Sequence, residues 1–131
     1  LQERGVPHIS VTNRTAQKSQ EVATSFGAKT VAWEDRHDCL AGAHLLINAS
    51  SLGMIGQPPL DLDLRALPQQ ATVYDIVYHP LMTPLLLEAQ KKGCRVVKGL
   101  GMLLHQARPA FEGWYGILPE VTNDLRRLLE G

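Results

Sequence analysis

Asn13, Arg14 and Thr15 follow a short stretch rich in β-branched residues, and Lys18 comes one helical turn later. In a dinucleotide-binding fold the end of the second strand meets the adenosine ribose. An acidic residue there takes the 2′-hydroxyl of NAD, whereas an arginine accommodates the 2′-phosphate of NADP. Arg14 therefore points to NADP. A cation in the first turn of a helix opposes the helix dipole by roughly 0.3–1 kcal/mol; an anion bound between Arg14 and Lys18 would reverse that penalty. Arg14 can also stack its planar guanidinium on an adenine face. The competing reading is a solvated surface pair, with Glu21 screening Lys18.

Three further constellations sit where strands should end. Asn48, Ala49 and Ser50 lead into Ser51-Leu52-Gly53-Met54 after an apolar run, and open α/β sheets bind ligands at the carboxyl ends of their strands. Small residues there let the backbone approach a flat ligand; the plainer alternative is a turn with Gly53 at positive φ. Tyr74 to Pro80 runs off another strand end, where Tyr78 offers a hydroxyl to a polar ligand and a ring to a nicotinamide, or simply lies half-buried under the next helix. Gly99 and Gly101 open a helix that carries Met102, His105 and Gln106. The two glycines suggest close approach to a ligand at free helix N–H groups. The Gln106 amide both donates and accepts, which suits a polyhydroxylated ligand. His79 and His105 read as loop and solvated histidines. His37, Asp38, Cys39 and His44 fit no zinc pattern, so no metal is expected.

These residues need a scaffold of alternating strands and helices. Residues 8–12, 29–33, 43–48, 71–76 and 95–97 read as strands, the third as one buried on both faces of a parallel sheet. Thr15 caps a helix to Phe26 with Val22, Ala23 and Phe26 inward, and Gly27 ends it. Thr83 and Pro84 open a second helix that stops near Gly93. Residues 99–114 form a third, kinked or split at Pro109, and 119–130 a fourth. Residues 1–4 read as a last helical turn before Gly5. The pattern predicts an α/β fold: a Rossmann-like, doubly wound, mostly parallel sheet spanning 1–131 as one partial NADP-binding domain.

The totals agree with such a domain. The chain has 131 residues, 44% of them hydrophobic, and its 13 basic residues balance 13 acidic ones. That balance leaves no footprint for nucleic acid or an anionic membrane. No apolar run reaches the ~20 residues that span a bilayer. Cys39 and Cys94 are far apart and read as free thiols in a reducing cytoplasm.

Taken in order, Asn13-Arg14-Thr15, Asn48 to Met54, Asp75 to Pro80, Thr83 to Leu86 and Gly99 to Ala107 resemble the C-terminal NADP-binding domain of the shikimate dehydrogenase family. The likeness covers the chain from about Val6 onward. It implies that Asn13, Arg14, Thr15 and Lys18 hold the 2′-phosphate end of NADP and that Asn48, Ala49 and Ser50 line the cofactor cleft. Ile76, Gly99 and Met102 would lie by the nicotinamide, and Tyr78 and Gln106 would reach the substrate. The implied reaction is reversible, NADPH-dependent reduction of 3-dehydroshikimate to shikimate, on the route to chorismate and the aromatic amino acids.

Two parts of the family pattern have no counterpart in these residues. One is the N-terminal substrate domain with its catalytic Lys–Asp pair, so no catalytic residue is assigned here. The other is the first strand with its glycine-rich turn, without which the sheet has a gap of unpaired backbone groups. The expectation is a fragment, or half of a split protein, inactive alone and completed by an N-terminal segment or partner chain. The alternatives are a non-catalytic nucleotide-binding module, a structural fragment, and a quinate/shikimate dehydrogenase, for which an acidic residue in place of Arg14 would signal NAD.

Overall fold

Strands and helices alternate along residues 1–130, the residues described by the computed structural model of the chain. They group into two units, Leu1–Ala43 with Leu62–Pro68, and His44–Asp61 with residues 69–130.

In the first unit, a 3-10 turn over Gln2–Arg4 closes on Gly5 at φ 73°, as the sequence suggests. Strand β1 (Ser10–Val11) pairs in parallel with β2 (Lys29–Thr30), Ser10 opposite Lys29. Helix α1 (Ala16–Phe26) links them and stops at Gly27, whose φ of 59° suits glycine. Thr15 stands at the cap position but its side chain makes no capping bond. Instead the Thr15 N–H donates to Asn13 Oδ1 at 2.8 Å, a local Asx turn that competes with the cap. Of the expected inward face, Ala23 is buried, whereas Val22 and Phe26 are 44% and 59% exposed. The polar segment forms two 3-10 turns, Glu34–Arg36 and Asp38–Leu40. His37 Nδ1 accepts the Asp63 N–H at 2.9 Å, which ties residues 62–68 into this unit.

The second unit carries a parallel sheet in the order β3-β4-β5, formed by Leu45–Asn48, Thr72–Asp75 and Arg95–Val97. Helix α2 (Pro84–Lys92) connects β4 to β5 and buries Leu85, Leu86 and Ala89. Thr83 caps it, its hydroxyl accepting the Leu86 N–H at 3.3 Å. Along β4 the side chains alternate, Val73 and Asp75 fully buried, Thr72 and Tyr74 half-buried. β3 departs from the expectation of burial on both faces: Leu45 is 42% exposed. Among the described residues β3 is an edge strand, bonded to β4 alone.

Helix α3 (Leu100–Tyr115) runs unbroken through Pro109. Proline removes only its own donor from the ladder, and an exposed helix tolerates that better than a buried one. Helix α4 (Asn123–Glu130) begins a turn later than its apolar pattern suggests, because the Thr122 hydroxyl accepts the Leu125 N–H at 3.2 Å and fixes the start there. Leu125, Leu128 and Leu129 on it are exposed. Every strand pair is parallel. The α/β class with parallel strands is therefore as the sequence order predicts. The two sheets share no ladder among the described residues.

Candidate functional site

The first cluster lies where β1 ends and α1 begins. Asn13, Arg14, Thr15 and Lys18 are all exposed there. Asn13 is spent on the turn just described. The side chains of Arg14 and Lys18 form no hydrogen bond or ion pair among the described residues, and the first turn of α1 has no acidic residue. Glu21, which could have screened Lys18, instead accepts from Gln17 Nε2 at 2.9 Å. Two cations thus stand unneutralised beside a helix start whose N–H groups also favour an anion. One residue upstream, the Thr12 hydroxyl is buried with no hydrogen-bond partner among the described residues. These donors and charges fit a phosphate monoester such as the 2′-phosphate of NADP.

The second cluster gathers the carboxyl ends of β3, β4 and β5. Asn48 is buried and its amide is fully used: Nδ2 donates to the Leu52 carbonyl and to Asp75 Oδ1, each at 3.0 Å. Its Oδ1 accepts from the Ser50 N–H at 3.1 Å and the Ser50 hydroxyl at 2.7 Å. Ser50 Oγ in turn accepts the Leu52 N–H at 3.2 Å. Ala49 and Ser50 are left at the surface of a loop that Asn48 holds from below. Gly53, at φ 92°, is buried against Thr83 and needs glycine for its backbone angle.

Asp75 is the unexpected centre of this cluster. It is 0% exposed and takes three donors: Asn48 Nδ2, the Val77 N–H at 3.0 Å, and the Thr83 hydroxyl at 2.7 Å. Hydrogen bonds to a charged group contribute about 1.5–3 kcal/mol each. Sequence reasoning passed over Asp75 and saw Thr83 only as a cap. The available signal was a lone acid in a β-branched strand, followed by a Thr-Pro helix start.

Gly99 and Ile76 come together. A Cβ on Gly99 would collide with the Ile76 carbonyl and stand 2.6 Å from the Val77 oxygen. Gly99 thus makes one close approach to the backbone after β4. Met102 follows on α3, half-buried, while Tyr78 is 47% exposed and Gln106 is exposed. His105 Nε2 lies 3.2 Å from the Arg126 guanidinium. Met102 also lines a concavity of about 430 Å³ with Tyr74, Val97, Lys98, Arg126 and Glu130. Burial pushes the Tyr74 hydroxyl above its ordinary pKa. At the end of β2 a second concavity of about 310 Å³ exposes Asp35, Asp38 and Cys39.

No family model matches the chain. A shikimate dehydrogenase (NADP(+)) from Paracoccus denitrificans is 52% identical over 129 residues, covering 97% of this chain and 46% of that protein. One from Rhodopseudomonas palustris is 53% identical over 132 residues, covering 99% and 47%. Among solved structures, shikimate 5-dehydrogenase from Thermus thermophilus, in complex with NADP(H) and shikimate, superposes with a TM-score of 0.74 at 35% identity, over 90% of this chain and 44% of that one. Quinate dehydrogenase from Corynebacterium glutamicum, in complex with NAD, gives a TM-score of 0.79 at 30% identity, over 98% and 46%. The chain spans just under half the length of the curated relatives it matches. Along nearly all of its own length, the chain is homologous to a Rossmann-like portion of NADP-dependent shikimate dehydrogenases.

Proposed function

We propose that residues 1–131 act as one partial NADP-binding domain of a cytoplasmic shikimate dehydrogenase, which reversibly reduces 3-dehydroshikimate to shikimate. The observation that carries this reading is the pair of unneutralised cations, Arg14 and Lys18, at the end of β1. The 52% identity to an enzyme named for NADP(+) supports it. In this reading Arg14 and Lys18 hold the 2′-phosphate, and Asn13 and Thr15 shape the turn that presents them. Ala49 and Ser50 line the cleft, with Asn48 beneath them. Ile76, Gly99 and Met102 form the wall beside the nicotinamide. Tyr78 and Gln106 offer a hydroxyl and an amide to the polyhydroxylated substrate. NADPH would supply the hydride. None of these residues is assigned proton transfer, which the reading leaves to a Lys–Asp pair on a further segment or a partner chain. Cys39 and Cys94 form no disulfide among the described residues, in keeping with a reducing compartment.

Titration of the purified protein with NADP and NAD tests this. NADP should bind more tightly, and Arg14→Ala should weaken NADP by about 10–100-fold, the worth of a charge-assisted hydrogen bond, while leaving NAD unchanged. Equal affinity for the two cofactors in the parent protein would sink the reading. The quinate dehydrogenase neighbour binds NAD, so the same titration separates that alternative. Arg14→Asp should then move preference toward NAD, since a carboxylate suits the free 2′-hydroxyl.

A further inference from the structure

Two strand ends and a helix start meet at one buried carboxylate, and none of the residues expected to touch ligand explains it. Asp75 closes β4 with no exposed surface. Its Oδ1 accepts from Asn48 Nδ2, at the end of β3, and from the Val77 N–H, two residues along its own chain. Its Oδ2 accepts from the hydroxyl of Thr83, the cap of α2. Asn48 passes the connection to Ser50 and Leu52 through three hydrogen bonds of 2.7–3.1 Å. The Ile76 N–H adds a backbone bond to the Asn48 carbonyl at 3.1 Å. Thr83 and Ser50 share no hydrogen bond among the described residues; Asp75 and Asn48 link them.

We propose that Asp75 is a positioning residue that locks the loop after β3 to the loop after β4, and so fixes where Ala49, Ser50 and Tyr78 stand. The inference rests on the reading of those three residues as cofactor and substrate contacts. Its chemistry explains the residue type. All three partners are donors, so the site needs an acceptor at every position. A carboxylate supplies this; an amide turns one acceptor into a donor. No cation faces Asp75 among the described residues, and its charge is met by donors and by the N-terminus of α2, whose dipole favours an anion. Thr83 serves two partners at once, giving its proton to Asp75 and accepting from Leu86. The lock therefore also sets the start of α2 and the path of residues 77–82, which carry Tyr78.

Asp75→Asn and Thr83→Val, both close to isosteric, test this in the purified protein. Circular dichroism establishes that each variant is folded at the working temperature. Two readouts follow, NADP affinity and the backbone amide chemical shifts of Ser50, Leu52 and Val77. Thr83→Val should move the Ser50 and Leu52 amides although Thr83 forms no hydrogen bond with either, and Thr83→Ser should restore them. NADP should weaken about tenfold in both folded variants, the effect of one misplaced hydrogen bond to a ligand. Unchanged Ser50 and Leu52 amides, or unchanged NADP affinity, in a folded variant overturn the proposal. If Asp75→Asn does not fold, Thr83→Val and its serine rescue carry both measurements. Should the parent protein itself fail to bind NADP, the cofactor reading fails, and the amide shifts alone decide whether Asp75 links the loops.

Discussion

Arg14 and Lys18 illustrate a cost that a bound anion would offset. Each adds positive charge near a helix start that prefers negative charge. The fold relieves neither of them, and it directs the nearest acid, Glu21, onto Gln17. Cys39 shows the reverse situation. It is exposed, but partial burial first, and then Asp35 and Asp38, push its thiol above the ordinary cysteine value. A raised value means that the fold favours the neutral thiol: this contribution is present below the ordinary thiol range and is lost as pH rises through the folded value. Because the thiolate is the reactive form, alkylation of Cys39 near pH 8 should be slower than that of an unstructured cysteine peptide. Asp35→Asn with Asp38→Asn should speed it without matching the peptide, since burial is the larger cause. A rate at or above the peptide's in the parent protein would contradict this. Arg14 and Lys18 were legible in the sequence because the turn that presents them is local. Asp75 was not, because its partner Asn48 lies 27 residues away and only strand pairing brings the two side by side.

Glycines punctuate the elements for two different reasons, and the sequence alone does not separate them. Gly53 has φ 92°, and a Cβ there would make only ordinary contact with Thr83 at 3.6 Å. Gly99 has an ordinary helical φ of −67° but no room, since the backbone of Ile76 and Val77 crosses over it. Gly53→Ala should therefore cost about 1–2 kcal/mol in backbone strain alone. Gly99→Ala should cost about 3 kcal/mol or more, because two backbone segments must separate. Thermal melting of both variants checks the order; a Gly99→Ala protein as stable as Gly53→Ala would refute it. Helix and strand identities were legible here because their stop signals are chemical: Gly27, Thr83-Pro84 and Gly93 mark ends that the fold respects. The helix faces were less legible. Val22, Phe26, Leu128 and Leu129 carry the period of a buried stripe yet are exposed, since periodicity shows which side is apolar and not whether another element covers it.

Across the whole molecule, burial is uneven in a way that sets where stability resides. β4 is hydrogen-bonded on both sides, carries Val73 and Asp75 with no exposed surface, and packs under Leu86 and Ala89 of α2. β1 and β2 pair over two residues each, and a two-stranded sheet is marginal by itself. Local opening in the β1–β2 pair should therefore need less free energy than opening around β4. Native-state hydrogen exchange reads this directly. The Ile76 N–H, bonded to Asn48, and the Arg95 N–H, bonded to Ala71, should be among the slowest amides. The Val31 N–H, bonded to Val11, and the Lys29 N–H, bonded to Ile9, should exchange at least about tenfold faster, a difference of about 1.4 kcal/mol in opening free energy. Equal protection at Val31 and Ile76 would mean that both sheets open together as one cooperative unit. Added NADP makes the comparison sharper. A ligand held by Arg14 and Lys18 stabilises only states in which the end of β1 is formed, so it should slow Val31 more than Ile76. If NADP slows neither amide, the cations at β1 are not its site.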